Sequence, residues 1–104
     1  MNIRIKKYNQ SKDYMKLLKL IESEGEEWSD YLTAKYQEPL RESITYVAYV
    51  GDVLCGYSRS RNDFDFFIWV IDLLVHKQYR GNSIGKKLLD CIVTNFPKQE
   101  IFVM

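Results

Sequence analysis

The residues whose types and spacing bear most directly on chemistry are Arg80, Gly81, Asn82, Ser83, Ile84, Gly85, Lys86 and Lys87, a run of small and cationic side chains between an apolar stretch ending at Val75 and a helical-period stretch beginning at Ile84. A helix N-terminus leaves about four backbone N–H groups unpaired and carries roughly half a positive charge. A tight turn of Gly, Asn and Ser feeding such a terminus makes a cradle for an anion, and phosphate is its natural guest. Gly81 and Gly85 lack the Cβ atoms that would hold a ligand off the backbone. Arg80, Lys86 and Lys87 add positive charge at the rim. The spacing is not a Walker motif, which would need a glycine where Arg80 stands and a Ser or Thr where Lys87 stands, and it is not a dinucleotide fingerprint.

Other candidates carry less. His76 is the only histidine, and a lone histidine opening a loop is structural or solvated more often than catalytic, so it receives no role. Cys55 and Cys91 belong to no CxxC or Cys/His cluster, so neither a zinc site nor a disulfide framework is indicated, and both are read as core thiols. No metal is expected. Lys and Arg total 15 against 14 for Asp and Glu, a net charge of +1, so no global field favours nucleic acid or an anionic membrane, and any basic function is local. The longest apolar run, residues 66–71, falls far short of the roughly 20 residues that span a bilayer. The N-terminus has no signal-like stretch, and the chain is read as soluble and cytoplasmic. With 104 residues and 46% hydrophobic content it is read as one globular domain, residues 1–104.

The elements that must position the loop emerge from periodicity. Residues 3–8 read as a short strand, and Ser11 as the N-cap of a helix whose apolar stripe is Tyr14, Leu17, Leu18 and Ile21, with Gly25 at its C-terminal cap. Ser29 is expected to cap a second helix carrying Tyr31, Leu32 and Tyr36, ended or distorted by Pro39. Residues 44–50 and 53–58 read as strands joined by a Gly51-Asp52 hairpin turn. A polar loop over 59–65 should come next, then a strand over 66–75 apolar enough to be central and covered on both faces. Phe64, Phe66, Phe67 and Trp69 are assigned to core and sheet surface. Ile84, Leu88, Ile92 and Phe96, joined by Leu89 and Val93, place a third helix over 83–95 that Pro97 closes, and residues 100–104 read as a last strand. The order β α α β β β α β is an α/β (α+β mixed) fold, a central mixed β-sheet flanked by helices.

Residues 80–85 resemble the acyl-CoA pyrophosphate loop of the GNAT superfamily of N-acetyltransferases, whose signature is Gln/Arg-x-x-Gly-x-Gly/Ala. Arg80 and Gly85 match it, and Ser83 stands where the first signature glycine belongs. Serine there is small and suited to cap the helix, although its Cβ weakens close approach of a pyrophosphate. The context is similar too: Asp72-Leu73-Leu74-Val75 before the loop, Ile84-Gly85-Lys86-Lys87-Leu88-Leu89 after it, and the upstream Cys55-Gly56-Tyr57. The likeness extends over residues 3–104, with motif-level specificity over 71–89.

The resemblance implies an acetyltransferase that moves an acetyl or acyl group from acyl-CoA, its co-substrate, to a primary amine on a small molecule or peptide. It implies a bulge in the fourth strand and a V-shaped cleft in which Leu73, Leu74 and Val75 pair through their backbone with the pantetheine arm. Arg80, Gly81, Asn82, Ser83, Ile84, Gly85 and Lys86 complete the cofactor site. Asp72 is then either a base acting through water, as in some relatives, or a satisfied or edge-facing acid. The acidic run Glu22, Glu24, Glu26, Glu27 and Asp30 borders the acceptor side as an attracting lip or a solvated helix end. Relatives continue past the fifth strand with a helix bearing a thiolate-protonating tyrosine and two further strands, so the domain is read as incomplete and no catalytic residue is assigned. The last strand is expected to expose an edge suited to homodimer pairing. A CoA-binding remnant and an interaction module without ligand stand as the alternatives to an enzyme.

Overall fold

A computed structural model describes every residue, Met1–Met104. Its five strands form one sheet in the order β1-β2-β3-β4-β5, antiparallel except for the parallel β4–β5 pair. Strand β1, Ile3–Lys7, leads into helix α1, Gln10–Glu22. The N-cap of α1 is Asn9 and not Ser11: Asn9 takes the extended backbone (φ −125°) from which its side chain accepts the Lys12 N–H, and Ser11, already helical, donates its hydroxyl to Asn9. Helix α1 ends at a Ser23 cap, and Gly25 (φ +93°) instead turns the chain away from the helix axis.

The second helix differs most from expectation. Residues Glu26–Leu32 and Ala34–Tyr36 form 3-10 turns, and helix α2 is confined to Gln37–Glu42. Ser29 lies inside the first of these turns and caps nothing. Pro39 sits in the first turn of α2, where its missing N–H had no intrahelical partner to lose, so it belongs to the start of a helix and not its end.

Strands β2, Ile44–Val50, and β3, Val53–Asp63, meet at the Gly51-Asp52 turn, closed by the Val50–Val53 pair, with Gly51 at φ +59°. The polar residues 59–63, expected as loop, extend β3: they pair with β4 from Asp72 back to Phe67, Arg59 and Ser60 well covered and residues 61–63 exposed. Phe64 and Asp65, both at positive φ, make the turn, which leaves the Phe64 side chain 96% exposed and outside the core. Strand β4, Phe67–Val75, is the fourth of five strands and not the middle one, which is β3, and it alternates buried and half-buried residues where cover on both faces was expected. Phe67 and Trp69 are covered by each other and by Phe102 of strand β5, Glu100–Val103, in place of a helix.

Helices pack on both faces. Leu17, Leu20, Ile21 and Leu40 bury one face against Val47, Leu54, Tyr57 and Leu74. Helix α3, Ile84–Asn95, buries Ile84, Leu88 and Ile92 on the other, against Ala48, Cys55, Ile68 and Val70. Cys55 is a fully buried thiol, whereas Cys91 is only half-buried on the rim of α3. No helix is long and apolar enough to cross a membrane.

Candidate functional site

A bulge in β4 organises the site. Arg59 faces Asp72 across the β3–β4 ladder and Ser60 faces Val70, so Ile71 is an extra residue on β4. The slip turns Asp72 toward the α1–α2 layer, where Oδ2 accepts from the Tyr36 hydroxyl (2.6 Å) and Arg59 Nε (2.7 Å) while Asp72 is 4% exposed. Tyr36 and Tyr57 share a further 2.8 Å hydrogen bond, and the Arg59 guanidinium lies over the Tyr36 ring. Burial pushes both tyrosine hydroxyls well above their ordinary range, helped for Tyr36 by Tyr57 and by its hydrogen bond to Asp72. Burial lowers the Arg59 guanidinium, but the Asp72 carboxylate outweighs it and keeps the charge fixed. Asp72 is a satisfied acid, anchored by a half-buried counter-ion.

Beyond Val70, which pairs with Val103 and accepts the Met104 N–H, β4 has no partner in β5. Leu73 and Val75 turn to the α3 side and Leu74 to the other. The chain leaves β4 through a 3-10 turn, Lys77–Tyr79, capped by His76, whose Nδ1 accepts the Gln78 N–H. That is a structural role for the only histidine. Gly81 then takes φ +86° and Ser83 φ +62°.

The Ser83 geometry explains the signature glycine and corrects an expectation. Ser83 occupies the N-cap position of α3, yet its left-handed backbone carries the hydroxyl away from the first turn and it makes no capping hydrogen bond. The ladder of α3 starts with Lys87 N–H to the Ser83 carbonyl (3.0 Å), so the N–H groups of Ile84, Gly85 and Lys86 have no backbone acceptor.

The first two of these residues, Ile84 and Gly85, border a cavity of about 380 Å³. Leu73, Leu74 and Val75 form its strand wall, and Arg80, Gly81, Ser83, Ile84 and Gly85 form its loop wall. Asn82 and Lys86 are not brought to it: Asn82 braces the loop by donating to the Tyr79 carbonyl (3.0 Å), and Lys86 turns along the helix to Asp90 (2.8 Å). Arg80 is also engaged, through Nε to the Val75 carbonyl (2.9 Å) and through a terminal nitrogen to Glu24 (2.6 Å). A second cavity of about 400 Å³ lies across β4, with Trp28, Tyr31, Ile71 and Asp72 in its walls. Leu73 lines both. Behind the wall of the second cavity the rings continue inward: Trp28 meets Tyr31 tilted at 5.0 Å between ring centres, and Tyr31 meets Tyr36 edge to face at 4.9 Å. The negative charge of Asp72, with burial, raises the Tyr31 hydroxyl. Sequence reasoning assigns none of Trp28, Tyr31, Tyr36, Tyr57 or Arg59 to a site; the one available signal is an acid, Asp72, interrupting an apolar strand.

The sequence model of the acetyltransferase (GNAT) family matches residues 12–102. The chain belongs to that family. A search among curated proteins finds no match. Among solved structures, the acetyltransferase is similar to a GNAT family acetyltransferase from Streptococcus pneumoniae TIGR4, with 26% identity and a TM-score of 0.78 over 99% of this chain and 75% of that one. It has the fold of the PaiA N-acetyltransferase from Thermoplasma acidophilum, solved in complex with coenzyme A (19% identity, TM-score 0.79, 94% of this chain and 74% of that one). It also has the fold of an aminoglycoside acetyltransferase from an uncultured soil metagenomic sample, solved in complex with sisomicin (18%, TM-score 0.74, 98% and 76%).

Proposed function

We propose that this acetyltransferase moves an acetyl or acyl group from acyl-CoA to a primary amine, with the pyrophosphate of the cofactor at the start of α3 and its pantetheine arm along Leu73, Leu74 and Val75. The observation that carries the reading is the cavity where unpartnered amides of α3 meet the unpaired edge of β4. An anion at a helix N-terminus satisfies the free N–H groups and the dipole together. A pantetheine amide beside β4 supplies the hydrogen bonds that β5 does not. The solved complex of a similar fold with coenzyme A supports the same cofactor class.

The acceptor enters from the opposite side of β4, through the cavity walled by Trp28 and Tyr31. Glu26, Glu27 and Asp30 stand on the adjoining 3-10 turn without an ion pair, and they favour a cationic amine. The amine of a similar fold's aminoglycoside substrate class fits this chemistry. Its nitrogen, deprotonated, attacks the thioester carbonyl; the C–S bond breaks, the thiolate of CoA leaves and takes up a proton, and an amide forms. Positioning of the two reactants and a β4 backbone N–H at the developing oxyanion supply the catalysis.

Calorimetry with acetyl-CoA tests the cofactor, and release of free thiol across a panel of amines tests the transfer. Ligand at about 100 times its Kd is expected to stabilise the fold by roughly 2.7 kcal/mol. Absence of binding at millimolar acetyl-CoA by a folded chain would refute the assignment.

A further inference from the structure

Arg80 does not extend freely from the cofactor loop. Its guanidinium is held on one side by the Val75 carbonyl (2.9 Å) and on the other by Glu24 Oε1 (2.6 Å), a residue 56 positions earlier in the chain. The Glu24 side chain is 14% exposed, and its second oxygen, Oε2, is buried without a partner. A carboxylate withdrawn from water with one oxygen unpaired is unfavourable for folding, so stability does not explain its place against the loop. Preorganisation does. An arginine has five N–H donors. Two are engaged here, and three remain for a ligand in the cavity that Arg80 lines.

We propose that Glu24 is a positioning residue for cofactor binding: it fixes the Arg80 guanidinium at the mouth of the cavity so that its remaining donors meet the cofactor phosphates. The proposal rests on the acyl-CoA reading above and names the device that loads the site. Glu24 acts through Arg80 and touches no phosphate itself. It also joins the two halves of the site, because Gly25 and the 3-10 turn carrying Trp28 come directly after it, and Trp28 walls the second cavity. Holding one long side chain in advance of binding is worth a few-fold to about tenfold in affinity.

The test is acetyl-CoA binding by calorimetry on the full chain, with the melting temperature of each variant recorded. E24A is expected to bind about three- to tenfold more weakly than the parent. E24Q keeps an oxygen acceptor for Arg80 and removes a negative charge near the phosphates, so it should bind within about twofold of the parent or more tightly. R80A should weaken binding, and E24A added to R80A should weaken it no further. R80K keeps the charge but not the fork that spans Val75 and Glu24; it should also lose three- to tenfold, and it decides the matter if E24A does not fold. The proposal is overturned by an E24A or R80K variant that binds like the parent, by E24Q losing as much as E24A, or by an E24A loss that persists in full on the R80A background. A parent chain that does not bind acetyl-CoA overturns the cofactor reading and this proposal together, whereas a binding parent with an indifferent E24A overturns the proposal alone.

Discussion

Gly56 lies on β3 opposite Val75, in the bulge that begins at Cys55, and it packs beneath the first turn of α3. A Cβ built there stands 3.2 Å from Ile84 Cγ2, 3.2 Å from the Leu74 carbonyl oxygen and 3.5 Å from Leu88 Cδ1. Comfortable carbon contacts lie at about 3.5–4.0 Å, so Gly56→Ala requires displacements of roughly 0.3–0.8 Å. The Leu74 carbonyl is fixed by the β3–β4 ladder, which leaves the start of α3 to move. Overpacking of this kind costs about 1–3 kcal/mol. For a domain of this size that lowers the melting temperature by roughly 4–24 °C. Because Ile84 opens the helix whose free amides face the cavity, acetyl-CoA affinity should fall with stability. Urea denaturation and calorimetry measure the two effects. Gly85→Ala is the control, since the nearest atom to its Cβ is Val75 Cγ2 at 3.9 Å, an ordinary contact, and its unfolding midpoint should hold or rise slightly as the entropic cost of a helical glycine is removed. A Gly56→Ala variant within about 0.5 kcal/mol of the parent would show that the sheet and α3 are not in close register, and the packing argument would fail.

Gly85→Glu is expected to remove measurable acetyl-CoA binding with little change in urea midpoint, because it sets bulk and negative charge against the proposed phosphate seat; parent-like affinity would place the phosphates elsewhere. Ser83→Gly relieves a left-handed serine, worth about 1–2 kcal/mol before the entropic cost of glycine, so the unfolding free energy should rise by roughly 0.5–1 kcal/mol while cofactor affinity holds or improves. Burial alone would raise the Asp13 carboxyl, but hydrogen bonds from Lys6, Tyr49 and the Asn9 N–H hold it below its ordinary value of 3.8. The native state then binds fewer protons than the unfolded one between those two values, so stability is full above about pH 5 and declines as pH falls through the lowered value; Asp13→Asn should flatten this acid limb in urea titrations at stepped pH. Strand β5 presents Phe102 and Val103, 38% and 57% exposed, at a sheet edge, so light scattering should show self-association of the chain that Val103→Lys reduces.

Local chemistry was legible in the sequence wherever a neighbour within a few residues settles the conformation. The stripe Leu17, Leu18 and Ile21 specifies α1, Gly51 specifies the hairpin, and the small residues between Val75 and Ile84 mark the turn into α3. The same locality explains the family likeness, because a loop that presents backbone amides depends on backbone freedom and absent side chains, which residue types state directly. Tertiary structure decided the rest. Asn9 displaced Ser11 as the cap of α1 because its backbone is extended, and Pro39 opened a helix because the chain before Gln37 is wound into 3-10 turns and α2 starts only there. The resemblance implied a bulge in the fourth strand, but its place at Ile71, which turned Asp72 inward onto Arg59 and Tyr36, is defined by the partner strand, and no periodicity within β4 announces it. Glu24 reaches Arg80 only because the end of α1 and the β4–α3 loop meet at the same end of the sheet. Spacing along the chain fixes torsion angles and faces; which charge meets which across 56 residues is set by how the layers pack, since an ion pair depends on distance in space and not on distance in sequence.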